Sequence, residues 1–145
     1  QTLDEAYKLG EELGEAITRG ANAAQGNVLG FAFFGENLDA KIDMIEEQEI
    51  SNLSFQCNLT KGDWIFNAKS VKVLGSNDGE NYEEIHYQEF PIETIAEDGV
   101  LSYSVDFEKT SVRYVNIIIE PHMCPEGHSG YGYPAWIFVD ELKIN

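Results

Sequence analysis

An all-β fold, an antiparallel β-sandwich of about eight strands, is what this sequence predicts. Three observations predict it. Apolar residues recur at every second position along most of the chain from residue 38 onward, the period of a half-buried strand. The alternating stretches are short and end in polar or Gly-containing turns, as sandwich strands do. Helical periodicity is weak and confined to residues 3–17, where Gly10 and Gly14 interrupt it, so a short helix or a loop is expected there. The 145 residues have the length of one ordinary domain. They divide into an N-terminal extension (1–15) and a sandwich (16–145).

The elements follow in order. Residues 38–45 place Leu38, Ala40, Ile42 and Met44 on one face, and residues 49–59 do the same for Leu53, Phe55, Cys57 and Leu59. Residues 70–76 carry Val71 and Val73 into a turn, where Asp78-Gly79 is a strong tight-turn signal. Residues 82–90 alternate imperfectly. Residues 101–107 align Leu101, Tyr103, Val105 and Phe107, while 112–120 and 135–144 are the most apolar and read as central strands. Trp136, flanked by core-type residues, reads as core.

If successive strands run up and down, the loops sort onto two ends. One end collects 18–37, 59–69, 90–100 and 120–134; the other collects the short links 45–49, 76–81 and 108–111. The first set holds Phe31, Phe33, Phe34, Trp64, Phe66, His122, His128, Tyr131 and Tyr133, so it marks the candidate binding end.

Charge narrows the partner. A formal net charge of −17 argues against nucleic acid, anionic lipid and acidic polymers, which need Lys and Arg on the binding face. No apolar run approaches the ~20 residues of a membrane helix, so membrane insertion is not expected. A neutral ligand or a basic partner remains. Aromatic planes stack on the apolar face of a sugar ring, while amide and imidazole groups serve its hydroxyls. His128, Tyr131, Tyr133, Trp64, Phe31, Asn27 and Asn58 supply those groups here. The plain alternative is that Tyr131 and Tyr133 pack on the sheet edge, His128 caps a turn and Trp64 lids the core. No carboxylate pair, nucleophile elbow or metal-ligand spacing stands out, so no enzymatic activity is expected of this domain. Cys57 and Cys124 match no zinc pattern, and their spacing leaves a disulfide open.

Three stretches carry a family resemblance: WIFNAKSVKVLGSNDGENYEEI (64–85), VRYVNIIIE (112–120) and PAWIFVDELKIN (134–145). Together, and in this order, they resemble the discoidin-like (coagulation factor type C) domain, over about residues 16–145. The likeness is closer to the copies that end family 20 β-N-acetylhexosaminidases (chitobiases) and glycan-uptake lipoproteins of gut Bacteroidetes. Family 32 carbohydrate-binding modules share this fold. The resemblance implies an eight-stranded jelly roll that binds a hexose or N-acetylhexosamine through loops at one end. It also implies other domains in the same parent chain, and a place in the periplasm, at the cell surface or outside the cell.

No cofactor is required by the resemblance. A structural calcium ion is common in such domains, and the last-strand glutamate that would bind it matches Glu141. The loop that supplies an Asp reads ITRG here, so Arg19 occupies that position, and a cation there argues against the ion. The expectation is that Arg19 pairs with Glu141 or a neighbouring carboxylate instead. Two stacking positions also depart from the pattern: Gly127 precedes His128 where related copies carry Trp, and GFAFF (30–34) replaces a W-x-G-F segment. A domain with a lost sugar site, packing on a neighbouring domain, is therefore the second expectation.

Overall fold

The computed structural model describes residues 16–19, 31–32 and 35–145. Seven strands lie among them: β1 (Ala16–Arg19), β2 (Phe31–Ala32), β3 (Leu38–Leu59), β4 (Ala68–Ser76), β5 (Glu83–Glu89), β6 (Gly99–Pro121) and β7 (Phe138–Ile144). Ala16 and Ile17, expected in a weak helix or loop, are strand; the rest of that stretch lies outside the described residues.

Two of the expected turns are not breaks. Residues 38–45 and 49–59 form one strand of 22 residues, and 101–107 and 112–120 lie in another of 23. These two long strands pair antiparallel along their whole length, from Leu38↔Ile119 to Leu59↔Gly99, with register shifts between Asp43 and Gln48 and between Ile50 and Asn52. The ribbon bends at those shifts, so each long strand serves two layers. The first layer runs β1, β3 (38–43), β6 (114–119), β4, β5; the second runs β6 (99–106), β3 (52–59), β7, β2. The β3–β6 ladder resumes after each shift, so the seven strands form one sheet folded on itself. Every pairing is antiparallel except β1 with β3, which is parallel.

The inward positions of both layers meet in one core. Leu38, Ile42 and Met44 come from the first half of β3, Leu53, Phe55 and Cys57 from its second half, with Val71, Val73, Ile117, Ile119 and Leu142. All of these are at most 1% exposed, and a fully buried side chain of this size contributes about 1.5–3 kcal/mol. A second, smaller cluster under the loop end contains Leu59, Phe66, Cys124 and Ala135. The cysteines are free and buried, one in each cluster, which answers the disulfide question left open by the sequence. Burial pushes the Cys57 thiol up to about 12, because the thiolate would lose its hydration.

The bend is held by charge. Asp43 accepts hydrogen bonds from Arg113 through Nε (2.9 Å) and Nη2 (3.2 Å) and from the backbone N–H of Ile45 (2.8 Å). Ile45 sits at φ 73°, a left-handed conformation costly for a β-branched residue, so the bend needs this clamp. Nearby, Asp78 accepts from the N–H groups of Glu80 and Asn81 and from the Asn81 side chain. Those donors hold its carboxyl well below the usual carboxylate range. Gly79 is at φ +78°, and a Cβ there would stand 3.3 Å from the Tyr114 ring, so the Asp-Gly turn read from the sequence is required by both backbone and packing.

Candidate functional site at the loop end

Three of the expected loops, 59–69, 90–100 and 120–134, touch one another. Most of 18–37 lies outside the described residues, and the expected links 45–49 and 108–111 lie within β3 and β6. After β3 the chain makes one 3-10 turn (Lys61–Asp63), and Trp64 closes it at φ 64° and ψ 26°. Backbone bonds between Thr60 and Ile65 in both directions (3.0 and 3.1 Å) tie this loop into a narrow finger. Lys61 reaches the 90–100 loop, donating to the Ala96 carbonyl and pairing with Asp98 at 3.4 Å. Asn67, fully buried, clamps the same loop: its Nδ2 donates to the Pro91 carbonyl (2.9 Å) and its Oδ1 accepts from the Glu93 N–H (3.0 Å).

The 120–134 loop is a string of tight turns closed by Cys124 N–H to Tyr133 carbonyl (2.9 Å) and Ala135 N–H to His122 carbonyl (2.9 Å). Inside it, Tyr131 N–H bonds the His128 carbonyl (3.0 Å) and Tyr133 N–H bonds the Gly130 carbonyl (2.9 Å). Gly127 is at φ +87°, so the residue at the position of the expected stacking Trp is the one the turn demands. Gly130 lies flat under the indole: a Cβ would meet the Trp64 ring and the Cys124 sulfur at 2.9 Å.

His128 is a structural pin. Its Nε2 donates to the Lys61 carbonyl (2.6 Å) and its Nδ1 accepts from the Gly130 N–H (2.9 Å), so both ring nitrogens of the neutral imidazole are engaged. Its ring packs edge-on against Phe66 (5.2 Å) and Trp64 (6.2 Å). The nitrogens expected to serve sugar hydroxyls are used within the protein, where they fasten the 120–134 loop to the 59–69 loop. Trp64 is half-buried beside the Tyr133 ring, at 6.1 Å and 32°. Tyr131 and Tyr133 are 62% and 61% exposed, so both stand out from the loop.

The remaining expected residues go elsewhere. Trp64 and Ile65 face opposite sides of the finger, and Asn58 lies on the Ile65 side. It accepts from the Thr60 hydroxyl (2.6 Å) and lines a cavity of about 340 Å³ with Ile65, Phe138 and Asp140. The backbone of Phe31 pairs with Val139 at the edge of β7; its side chain, Asn27, Phe33 and Phe34 lie outside the described residues. Trp136, expected in the core, is half-buried and lines a groove of about 240 Å³ with Asp63, Ile65 and Phe138. Ala135 and Ile137 on either side of it point inward and are fully buried.

Glu141 sits in a bulge of β7 at φ 50°. It shares a cavity with Lys143, and among the described residues no group of three His, Cys, Asp or Glu side chains gathers that could hold an ion. The backbone of Arg19 pairs with Asp43, and its side chain, with the expected Glu141 pairing, lies outside the described residues.

The chain is similar to several solved carbohydrate-binding modules. A pectin-binding module is 19% identical, at a TM-score of 0.49, covering 86% of this chain and 78% of that one. Module CBM32-1 of a family 31 glycoside hydrolase from Clostridium perfringens is also 19% identical, at 0.49, covering 83% and 82%. The C-terminal domain of a chitobiase from Bacteroides fragilis is 24% identical, at 0.40, covering 81% and 65%. No protein-family model matches the chain, and no curated protein matches it.

Proposed function

We propose that this chain is a non-catalytic carbohydrate-binding domain that presents Tyr131 and Tyr133 to a neutral hexose or N-acetylhexosamine. One observation carries the reading: two tyrosines stand more than half exposed on a loop closed by several backbone hydrogen bonds. Burying such rings against protein would have been favourable, so rigid exposed rings support contact with a ligand. The indole of Trp64 beside Tyr133 extends the aromatic surface. Hydroxyl partners are then the two phenols and backbone groups of the glycine turns, not His128. Few contacts offset the ordering costs, so binding is weak. Such a domain holds a parent glycan-processing enzyme or surface lipoprotein near its substrate by raising effective concentration.

The test is calorimetric titration with galactose, N-acetylgalactosamine, N-acetylglucosamine and their oligomers. Binding is expected in the wild type and lost in Tyr131→Ala/Tyr133→Ala. No heat from any of these sugars would sink the proposal. It would favour the second reading, a module that docks on a neighbouring domain. Two observations give that reading its weight: both His128 nitrogens are engaged, and Met123 adds a third exposed apolar side chain, 54% exposed, to the loop.

A further inference from the structure

The outer face of the second layer has an uncharged column along its middle strand. On β3 the outward residues are Asn52, Ser54, Gln56 and Asn58, and the whole stretch 51–60, SNLSFQCNLT, holds no charge in a chain with 35 charged residues (9 Lys and Arg, 26 Asp and Glu). Across the β6 ladder Asn58 faces Val100, Gln56 faces Ser102, Ser54 faces Ser104 and Asn52 faces Asp106, which accepts from its amide at 2.8 Å. On the β7 side Gln56 faces Asp140 and Ser54 faces Lys143, so the neutral column runs between charged flanks. The outward positions of the first layer are instead Asp39, Lys41, Asp43 and Lys72. Asn is depleted in strands, so folding alone does not call for Asn52 and Asn58 in this column.

Cavities follow one another along the column. One of about 310 Å³ is lined by Ser54, Gln56 and Ser102, with Glu141 and Lys143 on its β7 side. The next, about 340 Å³, is lined by Asn58, Val100 and Phe138, with Asp140 beside them. A third, about 240 Å³, shares Ile65 and Phe138 with the second and adds Trp136 and Asp63. The track thus begins at an aromatic wall beside a carboxylate and continues over hydroxyls and amides. From Asn52 to Asn58 it spans about 20 Å at about 3.3 Å per residue. Apolar rings with a few placed polar groups are the chemistry of a sugar site, and the length suits a chain of several sugar units.

We propose that this face is a second binding site, for a neutral linear polysaccharide, entered at the Trp136–Phe138 wall and running along the Asn58–Gln56–Ser54 column. The occupant follows from charge and chemistry. An anionic polymer is repelled by the chain's −17 and by Asp106, Asp140 and Glu141 beside the column, while the column's own hydroxyls and amides next to an aromatic wall suit sugar hydroxyls and sugar rings. The site lies on the Ile65 side of the finger, away from the tyrosine surface, and stands or falls separately from it.

Affinity electrophoresis in native gels containing soluble galactomannan, mixed-linkage β-glucan or xylan tests it, with polygalacturonate as the anionic control. The wild type should be retarded by at least one neutral polymer and not by polygalacturonate. Gln56→Ala/Asn58→Ala should weaken that retardation by about tenfold, the equivalent of 1.4 kcal/mol. Both side chains lie on the solvent face, so the variant should fold, which circular dichroism checks; Trp136→Ala should act in the same direction. Tyr131→Ala/Tyr133→Ala should keep the polymer binding while losing short sugars. The proposal is overturned if no neutral polymer retards the wild type, as expected of a face that docks protein. It is equally overturned if the Gln56/Asn58 variant keeps full affinity while the tyrosine variant loses it.

Discussion

At the loop end, backbone hydrogen bonds and ring packing fix the chain, and the outermost rings stay in solvent. At the bend end, charged side chains are turned back onto the chain's own backbone. Asp43 clamps Arg113 and Ile45, Asn77 accepts from the Arg113 N–H, and Asp78 closes its own turn. A cavity of about 510 Å³ opens at that end, but its side chains include Asn77, Glu83, Glu84 and Glu108 and no aromatic wall, so a sugar ring has nothing to stack on. The difference teaches that the two ends use their polar groups for different ends. The bend satisfies itself, whereas the loop end leaves aromatic surface unsatisfied.

Phe66→Ala attacks this contrast where stability and binding meet. Phe66 is 1% exposed and packs on the His128 ring. Its truncation should cost about 3–5 kcal/mol, read as a fall in the denaturation midpoint. Because His128 loses its support, sugar binding should fall as well. A variant that is destabilised but binds normally would show that the pin does not position Tyr131 and Tyr133.

Asp43→Ala separates the ends. The carboxylate, 15% exposed, holds both the Arg113 guanidinium and the left-handed Ile45. Losing these charge-assisted bonds should cost about 2 kcal/mol. Sugar and polysaccharide affinity measured below the unfolding transition should not change. A matching loss of affinity would mean that the bend is coupled to the loop end and that the contrast fails.

Particular residues explain what could be read in advance. Alternation gave the strand faces, since a period-two pattern needs only local sequence. The ladder through 45–49 could not be read: Glu46 and Glu47 look like a link, and the Arg113–Asp43 clamp that carries the strand across spans 70 positions. His128 looked like a ligand group for the same reason, because its partner, the Lys61 carbonyl, is 67 residues away. Trp136 was readable. The alternation that buries Ala135 and Ile137 turns Trp136 and Phe138 outward, against the pull of their hydrophobicity. The column Asn52–Asn58 is legible as an uncharged run in an acidic chain.

The smallest expected effect belongs to the Asp78 turn, and its sign follows from linkage. The carboxyl is held by two N–H groups, the Asn81 amide and the Ser76 hydroxyl, and its affinity for protons is lowered in the folded state. The unfolded chain then binds more protons as the medium acidifies. The stabilisation is fully present above the unfolded Asp value of about 3.9 and is lost as pH falls below it. In Asp78→Asn the side-chain oxygen still accepts from the Glu80 and Asn81 N–H groups, but an amide now faces the Asn81 amide, donor against donor. The wild type should therefore melt higher than Asp78→Asn at pH 7, and the gap should begin to close below about pH 4 and keep narrowing as the medium is acidified further. The exposed position keeps the gap small, and salt should narrow it further. A gap that is constant from pH 7 to pH 2 would mean that the turn is held by Gly79 and the Tyr114 ring above it, with the carboxylate adding nothing.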